Sequence, residues 1–125
     1  MSFSKKVLLV DDEPDVIDIL ESILEEHFYS LDIEKVPNGL DAFLKCQDQK
    51  FDLIITDHKM PFMTGAALVV ALKSRENKNL DTNVIMLSGF LDEDLKEKLR
   101  PRNIDFLGKP FDENALINLI TPYLI

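Results

Sequence analysis

The sequence is short of positive charge, cysteine, glycine and long apolar runs, and each shortage narrows what the protein can be. Only 14 basic residues stand against 23 acidic ones, a net charge of −9. Such an excess argues against nucleic acid or an anionic membrane as a direct partner and suits a bound cation. The single cysteine, Cys46, allows no intrachain disulfide and fits a reducing compartment. The four glycines, Gly39, Gly65, Gly89 and Gly108, are scattered, so no glycine-rich loop cradles a nucleotide phosphate. No apolar run approaches the roughly 18 residues of a membrane-spanning helix. The run nearest the N-terminus, residues 7–10, is also too short for a signal peptide. The sequence therefore predicts a cytoplasmic protein with one domain over residues 1–125.

What is present is an alternation. Short apolar runs occur at residues 7–10, 53–55, 84–87 and 104–107, with a weaker alternating strand carried by Leu31, Ile33 and Val36. Continuous Val/Ile/Leu runs suit strands covered on both faces. Helical segments lie between them. Pro14 sits in the first turn of one, whose stripe is Ile17, Leu20, Leu24 and Phe28. Residues 39–46 read as a second helix. Thr64 caps a third, with Leu68 and Leu72 facing inward. Asp92, Glu93 and Asp94 open a fourth, stopped before Pro101, with Leu91, Leu95 and Leu99 as a narrow stripe. Asp112 caps the last, which carries Leu116, Leu119, Ile120, Tyr123 and Leu124. The order predicts an α/β protein, a (βα)5 chain folded as a three-layer α-β-α sandwich on a five-stranded parallel sheet.

In such folds ligands bind beyond the carboxyl ends of the strands. There the sequence places Asp11 and Asp12, then Asp57, then Ser88, then Lys109. Two carboxylates about 4 Å apart repel by on the order of 4 kcal/mol at an effective dielectric of 20, so compensating positive charge is required. Lys109 supplies part of it, and Mg²⁺ suits the remaining oxygen ligands and favours phosphate. With Ser88 these groups form a cradle for a phosphoryl group, and a central carboxylate becomes the nucleophile of an aspartyl phosphate. Singly, each residue has an ordinary reading: helix capping for Asp11 or Asp12, a turn for Asp57 and for Ser88–Gly89, a solvated side chain for Lys109. Their joint placement at one sheet edge is what makes the ordinary readings insufficient. Cys46, His27 and His58 lack metal-ligand spacing, so zinc is not expected. His58 reads as a solvent-facing loop residue, His27 as a helix end and Cys46 as a partly buried thiol.

The acidic pair Asp11–Asp12, Asp57 followed by Met60–Pro61 and Gly65, Ser88, and Lys109–Pro110 together resemble the response-regulator receiver domain, the phosphoacceptor module of two-component signalling. The resemblance spans nearly the whole chain. It implies the flavodoxin-like strand order 2-1-3-4-5 and a cis Lys109–Pro110 bond. It implies Asp57 as phosphoacceptor and Mg²⁺ held by Asp11, Asp12, Asp57 and the backbone carbonyl of Lys59. Ser88 and Lys109 then hold the phosphoryl group, and Phe106 is the switch aromatic, here without a hydroxyl. The implied partners are a histidine kinase or phosphotransfer protein and a downstream effector meeting the surface of the fourth helix, last strand and last helix, where a homodimer also forms. Lys59 and Phe90 are bulky residues near the mouth, expected to hinder attacking water. The alternatives are a receiver-like interaction module working without phosphorylation and a phosphatase with an aspartate nucleophile. Against the second, Lys59 stands where such enzymes carry another acid.

Overall fold

The apolar runs form one parallel sheet because alternate residues of each strand serve two separate cores. The computed structural model describes residues 4–74, 76–90 and 92–125. Its strands are β1 (Lys6–Val10), β2 (Asp32–Val36), β3 (Leu53–Asp57), β4 (Asn83–Ser88) and β5 (Ile104–Gly108), in the order β2-β1-β3-β4-β5. All neighbouring pairs run parallel. Leu8, Val10, Ile54, Val84 and Met86 point to one face. Val7, Leu9, Leu53, Ile55, Ile85 and Leu87 point to the other. This is the period-2 geometry of a strand acting on runs that are apolar at every position. The fold is the expected flavodoxin-like α/β sandwich.

The helices are α1 (Pro14–His27), α2 (Gly39–Asp48), α3 (Gly65–Leu72), α4 (Glu93–Leu99) and α5 (Glu113–Leu124). α1 and α5 cover one face through Ile17, Leu20, Leu24, Leu116 and Ile120. α2, α3 and the end of α4 cover the other through Ala42, Cys46, Leu68, Leu72 and Leu99. Capping sets several starts. The side chains of Asn38, Thr64, Asp92 and Asp112 accept from backbone N–H groups of the first turns. Among the described residues no helix is long and apolar enough to cross a membrane.

One expectation changes. Cys46 is fully buried rather than partly so, and burial pushes its thiol up to about 12. The fourth helix ends at Leu99, before Pro101 as expected, but the chain does not unwind there. It tightens into a 3-10 turn, Arg100–Arg102, whose first positions tolerate a proline because their N–H groups need no partner. In α4 only Leu99 is fully buried and Leu95 packs at its side, while Leu91 lies outside the described residues.

A buried polar knot on the α2/α3 face had no counterpart in the sequence reading. Asn79 Oδ1 accepts from the Phe51 N–H at 2.8 Å and from the Thr82 hydroxyl at 3.0 Å. Its Nδ2 donates to the carbonyls of Cys46 and Gln49 at 2.9 and 2.8 Å. Lys73 Nζ donates to the Asn79 carbonyl at 3.1 Å and to that of Thr82.

Candidate functional site

Parallel pairing brings the carboxyl ends of β1, β3, β4 and β5 to one edge. Val10 registers with Thr56, Asp57 with Leu87, and Ser88 with Gly108. Asp57 and Ser88 are the last residues of their strands rather than the loop residues that follow, so the sheet itself fixes their direction. Asp11 and Asp12 follow β1, and Lys109 follows β5.

Asp11, Asp12 and Asp57 each offer a carboxylate oxygen within 4.8 Å of the others. Asp11 and Asp57 are buried and Asp12 is exposed. Asp11 Oδ1 accepts from the Glu13 N–H at 2.9 Å. Lys109 Nζ lies 3.2 Å from Asp11 Oδ2 and 3.3 Å from Asp57 Oδ1. Asp57 Oδ1 also accepts from the His58 N–H at 2.8 Å. Burial, and then the charge of Asp57, hold the Asp11 carboxyl above its usual range, partly offset by the Glu13 N–H and Lys109. Burial alone pulls the Lys109 ammonium down, but Asp11 and Asp57 outweigh it and its pKa is raised. One ammonium against three carboxylates leaves the cluster short of positive charge. Hard oxygen donors with that deficit fit a divalent ion such as Mg²⁺.

The Ser88 hydroxyl is buried and engaged elsewhere. It donates to the Phe90 carbonyl at 2.7 Å and accepts from the Phe90 N–H at 3.3 Å. A cleft of about 320 Å³ opens above Asp57, lined by Asp12, Glu13, Lys59, Ser88, Phe90 and Lys109. Lys59 and Phe90 stand exposed at this cleft. The Lys109–Pro110 bond is cis, as the resemblance implied. Phe106 is half-buried on β5 against the α2/α3 core, with Lys96 Nζ 5.8 Å from its ring centre.

Two glycine positions shape the surroundings. A Cβ on Gly65 would meet the Asp57 carbonyl oxygen at 2.4 Å, so α3 starts directly against the backbone of the central carboxylate. A Cβ on Gly39 would likewise meet the Met63 carbonyl oxygen at 2.4 Å, joining the start of α2 to the loop after β3.

His58 is not the solvent-facing loop residue expected. It is half-buried, and its Nδ1 accepts from the Ala66 N–H at 3.3 Å. His27 ends α1 as expected, with Nε2 4.0 Å from Glu113. Glu13 is a site residue that sequence reasoning counted only as a helix start. The signal was its place two residues past Asp11, where an aspartate side chain captures a backbone N–H.

A family model described as the response regulator receiver domain matches residues 7–121. Among curated proteins, the chain is 30% identical over 120 residues to Transcription factor SKN7 of Candida albicans, covering 95% of this chain and 21% of that protein. It is 30% identical over 122 residues to Response regulator receiver protein CpdR of Brucella abortus, covering 97% and 98%. It thus spans about a fifth of the fungal relative and nearly all of the bacterial one. Among solved structures, the chemotaxis response regulator CheY4 of Vibrio cholerae matches with a TM-score of 0.82 and 28% identity, covering 97% of this chain and 99% of that one.

Proposed function

The chain belongs to the response regulator receiver domain family, and from that premise we propose that residues 1–125 act as one phosphorylation switch with Asp57 as phosphoacceptor. Receiver domains are signalling modules of two-component systems, work with histidine kinases and effector domains, and are not conventional enzymes. The observation that carries the finer reading is Lys109 Nζ standing 3.2 and 3.3 Å from Asp11 and Asp57 within the three-carboxylate cluster.

The donor is a phosphohistidine on a kinase or phosphotransfer protein. His58 N–H and Lys109 hold Asp57 Oδ1, which leaves Oδ2 to attack phosphorus. The new P–O bond forms as the P–N bond breaks, and the leaving imidazole takes up a proton. Asp11, Asp12, Asp57 and the Lys59 backbone carbonyl would hold Mg²⁺, which supplies neutralisation of the phosphoryl charge. Lys109 pairs with the phosphoryl oxygens. The Ser88 hydroxyl leaves the Phe90 carbonyl and donates to the phosphoryl group. The ring of Phe106 then turns inward, changing its contact with Lys96.

The readout is a population shift at the surface of α4, β5 and α5, where the effector or a second copy docks. α4 is suited to it because few of its apolar groups are buried. Lys59 and Phe90 slow self-catalysed hydrolysis by crowding the water's path. The protein works in the cytoplasm.

The test is mass spectrometry after treatment with a small phosphodonor and Mg²⁺. The wild type gains one phosphoryl group and Asp57→Asn gains none. Absence of gain in the wild type overturns the reading and leaves a phosphorylation-independent interaction module.

A further inference from the structure

We infer that the groove between α3 and α4 is a docking site for an acidic amphipathic helix of a partner protein. The groove has a cavity of about 340 Å³. α3 contributes Ala66, Ala67 and Val70 to one wall, and α4 contributes Leu95 and Leu99 to the other. Leu99 is 2% exposed and forms the floor, while Val70, on the opposite side of α3 from its core residues Leu68 and Leu72, is 53% exposed. The small side chains of Ala66 and Ala67 let a third helix approach α3 closely, and Val70 provides a ridge for it to pack against. A partner helix with apolar residues at i, i+3 or i+4 and i+7 matches such a groove.

The charge of the partner follows from the rim. Lys98 and Arg102 line the groove, and among the described residues no acidic side chain does. Several cations of this acidic chain are held by its own carboxylates. Lys35 pairs with Glu21, Lys45 with Glu34, Lys96 with Glu93 and Arg100 with Glu97. Among the described residues, Lys98 and Arg102 have no such ion pair. The Arg102 guanidinium instead donates to the Lys98 carbonyl, which anchors it at the C-terminal end of α4 beside the groove. The rim therefore presents two cations to a partner's carboxylates against a molecule that is otherwise acidic, which favours an acidic helix and disfavours a basic one. The groove is formed in the unphosphorylated protein, so the inference does not depend on Asp57 chemistry.

The experiment uses two synthetic helical peptides with identical leucine spacing, one flanked by glutamate and one by lysine, titrated into the unphosphorylated wild-type protein and followed by amide chemical shifts. The glutamate peptide shifts amides of residues 66–70 and 95–102, binds at least tenfold tighter than the lysine peptide, and weakens as salt rises. Lys98→Glu with Arg102→Glu reverses the preference. Val70→Asp weakens binding at least tenfold without changing the amide spectrum of the β-sheet, since Val70 is half-exposed. Equal binding of both peptides, shifts confined to other surfaces, or no binding overturns the inference. Self-association of the protein alone that Val70→Asp abolishes also overturns it, by assigning the groove to a second copy.

Discussion

The Ser88 hydroxyl is hydrogen-bonded to the carbonyl oxygen of Phe90 at 2.7 Å, although both residues border the cleft above Asp57. The side chain that would stabilise a phosphoryl group is therefore occupied by its own loop. On the proposed function, phosphoryl binding has to release it, and the carbonyl of Phe90, a residue 76% exposed, has to give up its partner. The bond couples occupancy of the site to the conformation of residues 88–90.

Ser88→Ala removes that coupling and the donor together. A hydrogen bond to a charged group contributes about 1.5–3 kcal/mol. Binding of beryllofluoride, a phosphoryl mimic, in the presence of Mg²⁺ is expected to weaken by roughly tenfold or more. Isothermal titration measures this directly. Unchanged affinity would mean that Ser88 stays with Phe90 in both states.

Mg²⁺ is expected to stabilise the protein and Asp57→Asn to stabilise it in metal's absence. Burial, and then the charge of Asp57, hold the Asp11 carboxyl above its usual range, so the Asp57 charge disfavours the ionised form of Asp11. Replacing Asp57 removes that repulsion while Lys109 keeps its 3.2 Å contact with Asp11. In the wild type, Mg²⁺ at about tenfold its dissociation constant adds about 1.4 kcal/mol by mass action. Thermal melts with and without a chelator read both effects. No shift in the wild type at millimolar Mg²⁺ removes the metal assignment.

The sheet and the positions of Asp11, Asp57, Ser88 and Lys109 were legible because they rest on local signals. An apolar run marks a buried strand, and the polar residue ending it must emerge at the sheet's edge. The bonds made by those residues were not legible. Nothing adjacent to Ser88 distinguishes a hydroxyl held by Phe90 from one facing Asp57. His58 looked solvent-facing because its partner, the Ala66 N–H, lies across a loop whose tight path depends on Gly65. Pro101 marked the end of α4 because a proline breaks the α pattern, but nothing in the sequence showed the 3-10 turn that follows Leu99. Asn79 gave no sign at all. Its partners Cys46, Gln49 and Phe51 lie 28 to 33 residues earlier, at the end of α2 and in the segment before β3, and only the folded chain brings them to it.

That gathering makes Asn79 a strong determinant of stability. Asn79→Ala deprives the Phe51 N–H and the carbonyls of Cys46 and Gln49 of a fully buried partner. A buried polar group left unsatisfied costs about 1–3 kcal/mol. The expected loss is about 3 kcal/mol, with phosphodonor labelling of the remaining folded protein unchanged because the knot lies away from the cleft. Urea denaturation checks the first part and mass spectrometry the second. A loss below about 1 kcal/mol would show that water replaces the side chain.

Lys73 gives stability a pH dependence of defined sign. It caps α3 and donates to the carbonyls of Asn79 and Thr82. Burial pulls its ammonium from an ordinary 10.5 down to about 8, against the opposing influence of Asp81 and Cys46. In the unfolded chain it titrates at the ordinary value, so between about 8 and 10.5 the unfolded state binds more protons. Lys73 therefore makes stability rise with pH across that window, and its full penalty applies below about 8, where both states are protonated. Cys46 acts oppositely. Burial moves its thiol from 9.0 to about 12, so above 9.0 the folded state keeps a proton the unfolded chain loses, and stability falls. The interval from about 8 to 9 isolates the lysine. Urea denaturation across it is expected to show stability rising in the wild type and a smaller rise in Lys73→Met. Identical slopes in the two proteins would place the ammonium in solvent rather than in the Asn79 knot.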